Sequence, residues 1–327
     1  MKFWYHSKLT IAALMLMPFS LITLIVSLFK RKFRSRHSYP VPVIVIGNLT
    51  VGGTGKTPTI IWLVNLLQSR ECRVAVVSRG YGAKPNQSFP ILIADQHSAF
   101  EVGDEPTLIR NKTSADVVID PDRDRAVRYL SDLPLGQRPD VIISDDGMQH
   151  YRMARDVEIL MVDPLRGFGN GLLLPAGPLR ELTSRLQSVD YVLAKQTGPM
   201  LPEGRVHTAS AHTEMPINAQ GETLVTTQVH LCSAIGNIQS FIDTMIAIGF
   251  SVKVVHDFRD HQRLPDRVLS DKRLPIVVTE KDFVKLLAPA EHVYFLPYGL
   301  EYSDEFKWEL LTRIEGVIHE KSSHYSG

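Results

Sequence analysis

The chain has 327 residues, enough for one large or two medium domains, and its 44% hydrophobic and 22% charged residues are those of a folded globular protein. With 36 basic against 35 acidic residues the net charge is +1, which argues against a nucleic-acid binder, because such proteins need a net basic surface to offset phosphates. Two cysteines, Cys72 and Cys232, stand in no CxxC or CxxH pattern, so a disulfide framework or structural zinc site is not expected and a reducing compartment fits.

Residues 9–29 read LTIAALMLMPFSLITLIVSLF and carry no charge. As a helix they would span roughly 30 Å, close to a bilayer hydrocarbon core. Phe3, Trp4 and Tyr5 precede the run, where an interfacial aromatic belt would lie. Lys30-Arg31-Lys32-Phe33-Arg34-Ser35-Arg36 follows it, against only Lys2 and Lys8 on the other flank. The positive-inside rule therefore places everything beyond residue 30 in the cytoplasm. No small-x-small cleavage site follows, which favours a retained N-terminal transmembrane helix over a cleaved signal peptide.

Beyond the anchor, residues 41–46 (VPVIVI) predict a buried parallel strand, and 57–67 have helical apolar spacing. Further strands are predicted at 74–77, 115–119, 141–143, 158–162 and 191–194, with helix-like stretches between several of them. Alternating strands and helices predict a doubly wound α/β domain with a mostly parallel sheet. Residues 206–230 are polar and Thr-rich around Asn218-Ala219-Gln220-Gly221, the pattern of an antiparallel hairpin. A second, smaller α/β unit follows, with strands at 231–234, 252–255, 276–279 and 293–296 and a helix at 237–248. The predicted organisation is an anchor with basic flank over 1–36, a P-loop domain over 37–205, a β linker over 206–230 and a C-terminal α/β lobe over 231–327. A cleft is expected between the lobes.

The chemistry centres on Thr50-Val51-Gly52-Gly53-Thr54-Gly55-Lys56-Thr57, which is GxxxxGK[ST] with Thr50 at the first glycine position. Small residues let backbone N–H groups converge on phosphate oxygens, and the following helix turns its positive end to the anion. Lys56 would neutralise the β- and γ-phosphates and Thr57 would ligate Mg²⁺. Pro58 fits the first helical turn, where its missing N–H is not needed. A second motif, Val141-Ile142-Ile143-Ser144-Asp145-Asp146, is an apolar strand ending in two carboxylates. Parallel strands deliver their C-terminal ends to the ligand crevice, so Asp145 and Asp146 are candidate Mg²⁺ ligands. Gln149 and His150 present polar groups just beyond.

The loop, the Asp145-Asp146-Gly147-Met148-Gln149-His150 segment and the anchor together resemble the tetraacyldisaccharide 4′-kinase (lipid A 4′-kinase) family of Gram-negative bacteria. The resemblance runs to about residue 300 and is carried also by Gly47-Asn48-Leu49, Ser78-Arg79-Gly80-Tyr81-Gly82 and Val102-Gly103-Asp104-Glu105-Pro106. Asp163-Pro164, Gly169-Asn170-Gly171, Pro175-Ala176-Gly177-Pro178-Leu179-Arg180-Glu181, Asp260-His261 and Thr279-Glu280-Lys281-Asp282 complete it. Thr50 is usual for that family. The resemblance implies Mg²⁺-dependent phosphoryl transfer from ATP to the 4′-hydroxyl of a tetraacylated glucosamine disaccharide 1-phosphate, giving lipid IVA at the cytoplasmic face of the inner membrane. It further implies Asp104 as general base, paired with His261 from the other lobe. From spacing alone Asp104 reads as a helix N-cap, preceding Glu105 and Pro106. Lys56 is the main charge-stabilising candidate; Asn48, Arg79, Gln149 and Arg180 are candidate substrate contacts. The partners implied are the lipid and the membrane, with no obligate protein partner. A membrane-tethered regulatory or transport ATPase is the alternative, since a P-loop reports phosphate binding and not the acceptor.

Overall fold

The computed structural model describes residues 2–5, 9–32 and 38–325. Arg34 and Arg36 of the basic flank, and Lys8, lie outside the described residues. The first long helix, α1 (Ile11–Lys32), is longer than the apolar run because it takes in the first basic residues.

The larger lobe follows as β1 (Val43–Gly47), α2 (Lys56–Gln68), β2 (Val74–Ser78), β3 (Ile91–Leu92), α3 (Ala99–Val102), α4 (Asp104–Lys112), β4 (Asp116–Ile119), α5 (Arg123–Ser131), β5 (Val141–Asp145), β6 (Val157–Met161), β7 (Tyr191–Ala194) and β8 (His207–Thr208). Its eight strands lie in the order β3-β4-β2-β5-β1-β6-β7-β8, parallel except for β3. Alternate side chains of one strand feed opposite faces, as strand geometry requires. Ile44 and Ile46 join the core on one face, while Val43 and Val45 join the core on the other. Burial on both faces explains why these strands read as unbroken apolar runs.

The smaller lobe contains β9 (Ser210–Thr213), β10 (Gln228–Ser233), α6 (Ile238–Ala247), β11 (Ser251–Asp257), α7 (Asp266–Leu269), β12 (Ile276–Thr279), α8 (Glu280–Phe283), β13 (Val293–Leu296) and β14 (Tyr298–Glu301). A parallel sheet, β11-β10-β12-β13, carries Phe241 and Met245 of α6 on one face. The predicted hairpin is reduced to a turn. Asn218 Oδ1 accepts from the backbone N–H of Gln220 and Glu222, and one antiparallel bridge joins Ile217 to Thr223. The linker strands pair elsewhere: β8 extends the large sheet, and β9 pairs antiparallel with β14. The two chain segments that join the lobes are thus hydrogen-bonded to each other.

The last helix, α9 (Asp304–Tyr325), departs from the predicted boundary of the C-terminal lobe. Phe306, Leu310, Ile314 and Val317, at helical spacing, enter the core of the large sheet. There Trp62 of α2 meets Tyr302 and Phe306 at ring separations of 4.5 and 6.1 Å. Each such buried side chain contributes about 1.5–3 kcal/mol, enough to draw α9 back across the lobe boundary.

One face of α1 is stapled to the larger lobe. Ser20 Oγ donates to the Leu173 carbonyl at 2.7 Å and Thr23 Oγ1 to that of Leu174 at 2.7 Å, while Leu24 packs on the core. Trp4 Nε1 donates to the Pro175 carbonyl at 3.0 Å. The opposite face, including Ile11, Met15, Ile22 and Phe29, is exposed and apolar.

Candidate active site

Strand β1 ends at Gly47, and the chain turns through Asn48–Gly55 before α2 begins at Lys56. Gly55, the residue before the helix, has φ 90°, and Gly52 has φ 114°, conformations that L side chains avoid. Asn48 is fully buried beneath the loop. Its Nδ2 donates to the Thr50 carbonyl at 2.6 Å and its Oδ1 accepts from Lys56 Nζ at 3.1 Å. Its place is that of a loop brace, which departs from the substrate contact expected of it. Thr50 and Val51 form the root of the loop: Thr50 bridges Leu179, and Val51 N–H donates to the Pro178 carbonyl. Gly52, Gly53, Thr54, Gly55, Lys56 and Thr57 line a cleft of ≈ 850 Å³ between the lobes.

The neighbouring strand β5 is in register with β1, Ile46 opposite Asp145, so the carboxylates emerge beside the loop. This crevice sits where the strand order reverses, the usual ligand site of open α/β sheets. Asp145 is buried and accepts from Ser78 Oγ at 2.9 Å. Burial and the nearby Glu105 push its carboxyl up to about 6. Asp146 has φ 50°, a left-handed conformation that Asp adopts more readily than most residues. Burial opposes its charge, but Lys56 at 3.5 Å and Arg180 at 2.8 Å prevail and hold it below the usual carboxylate range. Thr54 Oγ1 and one carboxylate oxygen each of Asp145 and Asp146 are buried without a hydrogen-bond partner. Carboxylate oxygens left without a hydrogen-bond donor beside a phosphate loop are of the kind that a hard cation takes, although the Asp146 oxygen also faces Lys56. Among the described residues no group of three or more His, Cys, Asp or Glu could hold a metal by itself. Mg²⁺ is commonly held by one or two carboxylates with substrate phosphates and water.

Around this pair the remaining polar side chains form a chain of contacts. Gln149 donates to Glu181 at 2.8 Å and accepts from Arg180 at 3.3 Å. Arg79 lines the same cleft. His150 stays neutral to about pH 4, because burial and the cations Arg123 and Arg79 disfavour its protonation. Arg123, which the sequence did not single out, is 1% exposed and donates to the Asp145 carbonyl at 3.1 Å. Burial lowers its proton affinity to about 10, and the two carboxylates counter that.

The other half of the site crosses the lobes. Gly103, with φ 99°, delivers Asp104 to the first position of α4. His261 of the smaller lobe, at φ 64°, places Nδ1 2.9 Å from Asp104 Oδ2 and 3.0 Å from Oδ1. Backbone strain of this kind persists where the surroundings enforce it and clusters at functional sites. Burial would raise the Asp104 carboxyl, but His261 and Lys281 outweigh it and lower it. The Asp104 hydrogen bond raises His261 in return, against burial and Lys281. Asp282, which follows the predicted strand 276–279, instead serves the fold: fully buried in α8, it accepts from Ser233 Oγ, the Ala234 N–H and Thr279 Oγ1.

Comparison with known proteins agrees with this geometry. Residues 12–315 match the family model for tetraacyldisaccharide-1-P 4′-kinase. The tetraacyldisaccharide 4′-kinase of Psychromonas ingrahamii is 38% identical, covering 97% of this chain and 99% of that protein. The enzyme of the same name from Azotobacter vinelandii is 45% identical over 78% of each chain. Among solved structures, LpxK of Aquifex aeolicus, crystallised in complex with ATP, matches with a TM-score of 0.75 and 28% identity, covering 92% of this chain and 99% of that one. The alternative of a regulatory or transport ATPase finds no support among these relatives. A phosphate loop, an acidic strand end and an acid–histidine pair sharing one cleft thus coincide with a match over nearly the whole sequence, and the chain belongs to the tetraacyldisaccharide-1-P 4′-kinase family.

Proposed function

We propose that this chain transfers the γ-phosphoryl group of ATP to the 4′-hydroxyl of a tetraacylated glucosamine disaccharide 1-phosphate, giving lipid IVA, with Asp104 taking the hydroxyl proton. The observation that carries this reading is that the phosphate loop and the Asp104–His261 pair line one cleft of ≈ 850 Å³, within the usual range for ligand sites. Mg²⁺-ATP, when bound, supplies the phosphoryl group and a divalent counter-charge. Lys56 and the loop N–H groups are suited to the phosphates, and Thr57, Asp145 and Asp146 to the cation. Arg180 and Arg79 face the same cleft, where a cation would meet the charge that spreads over the transferring group. A sugar hydroxyl is a poor nucleophile until its proton is removed, so the reaction needs a positioned base. Asp104 is held ionised by His261 and Lys281 and oriented by His261, so its carboxylate is the group placed to take the proton.

A greasy acceptor accounts for α1. Its exposed apolar face and the Lys30, Arg31 and Lys32 end support attachment at the cytoplasmic membrane surface. Ser20 and Thr23, at mid-helix, bond to the loop at Leu173 and Leu174. A helix crossing both leaflets would carry that loop to the bilayer centre. These contacts therefore favour a helix seated in one leaflet with the lobes held against the surface.

The direct test incubates the protein with γ-labelled ATP and the disaccharide 1-phosphate lipid in mixed micelles. New phosphate at the 4′ position is expected, with little ATP hydrolysis when the lipid is left out. Brisk hydrolysis without lipid and no labelled lipid would point to an ATPase instead.

A further inference from the structure

Lys281 stands at a point no role has yet explained. It begins in α8 of the smaller lobe, and its ammonium reaches Glu105 Oε1 on α4 of the larger lobe at 3.0 Å. The same nitrogen lies 3.3 Å from Asp260 Oδ1, 3.3 Å from His261 Nε2 and 3.9 Å from Asp104 Oδ2. Three carboxylates and an imidazole therefore converge on one cation whose side chain is 18% exposed. Without it, Asp104, Glu105 and Asp260 would repel one another across the lobe seam.

From this geometry we infer that Lys281 is a positioning residue for the phosphoryl transfer proposed above: it latches the smaller lobe to α4 and fixes His261 in the tautomer that donates from Nδ1 to Asp104. The chemistry is simple. An ammonium only donates, so at 3.3 Å it must meet a lone pair on His261 Nε2. An N–H at Nε2 would face the ammonium head-on. The imidazole proton is thereby confined to Nδ1, within reach of both oxygens of Asp104. Nε2 is occupied and cannot itself collect the substrate proton, which leaves the Asp104 carboxylate as the base. The latch and the tautomer are one device, because Lys281 arrives only with the smaller lobe. The groups facing the imidazole are Asp104 from α4, Asp260 beside it, Lys281 from α8 and the Tyr81 ring at 4.9 Å, while Lys285 acts on Asp104 from further off.

The sign of the charge effect follows. The Lys281 charge disfavours a proton on both Asp104 and His261. Removing it strengthens proton binding by both, so the competent, deprotonated pair appears only at higher pH. The experiment uses the full chain with Lys281→Met and Lys281→Arg, read by the pH profile of kcat/KM and by nitrogen-15 spectra of the His261 ring, assigned against His261→Gln. In the unaltered protein the His261 signals should be those of a neutral ring protonated at Nδ1. Lys281→Met should lower kcat by about 10- to 100-fold, the scale for losing hydrogen bonds to charged groups. It should also move the acid limb upward and let Nε2 take up its proton at a higher pH than in the unaltered protein, with Nδ1–H retained against Asp104. Lys281→Arg should keep the limb near its original place, and it carries the test if the Met variant does not fold. A loss of rate with an unmoved limb, or an unaltered protein with its proton on Nε2, overturns the inference. Full activity in Asp104→Ala would instead remove the dyad from the reaction, whereas the ring spectra would still decide the tautomer.

Discussion

The two halves of the cleft are built differently. The larger lobe presents Lys56, Asp145 and Asp146 from the ends of adjacent parallel strands and the helix that follows, all fixed by one buried sheet. The smaller lobe presents His261 from a strained loop position and Lys281 from a four-residue helix. The first half is assembled within one lobe. The second acquires its meaning only against α4 of the other lobe. On the proposed reading, phosphate and cation binding are properties of one lobe, whereas handling the hydroxyl proton requires both.

The sharpest way to break that division is to remove its anchor. Lys56→Ala should lower kcat by about 10²-fold or more, the scale of losing a charge-stabilising donor. On the proposed reading Lys56 serves the ligand and not the core, so thermal unfolding should stay close to that of the unaltered protein. A matching collapse of stability would show that Lys56 braces the loop through Asn48 and Asp146 more than it meets phosphate.

Asp282→Asn probes the other half without touching the cleft. It retains the shape but removes the charge that receives Ser233, Thr279 and Lys285. A cost of about 1–3 kcal/mol in denaturant unfolding is expected, with ATP affinity little changed. Equal loss of ATP affinity would mean the lobes bind nucleotide together.

A gentler probe is pH. Asp145 is raised to about 6, so above that value it is ionised and free to meet a cation, and below it a proton competes. Mg²⁺ affinity in the presence of ATP should hold steady above about pH 6 and weaken by up to about tenfold per unit below it. Calorimetry in buffers of differing ionisation heat should register proton release on binding near pH 6. Affinity independent of pH between 5 and 7 would exclude Asp145 as the ligand.

The same contrast explains what could be read in advance. The loop around Lys56 and the β5 carboxylates were legible because strand, turn and helix follow one another within a few residues. The inner strands of both sheets were legible because buried parallel strands are short apolar runs, whereas the two-residue edge strands β3 and β8 carry too little pattern to be read. Helix α9 was assigned to the wrong side of the boundary because its apolar stripe has no local sign of which core it fills; the answer lies with Trp62. Likewise, Asp104 and His261 are 157 residues apart, and Lys281 and Glu105 are 176 apart, so their pairing leaves no trace in spacing. Family resemblance supplied the first of these pairs, and only the folded chain supplied the second. Asn48 erred in the opposite sense: a polar residue in a motif was read as a contact, but burial made it a brace.

The central claim, that Asp104 receives the acceptor's proton in a site whose nucleotide is held by the other half of the cleft, is tested most directly by single-turnover rapid quench with Asp104→Ala, excess enzyme and labelled ATP. ATP should bind with unaltered affinity while the rate of 4′-phosphate formation drops by about 10²- to 10⁴-fold. An undiminished rate of transfer in that variant would contradict it.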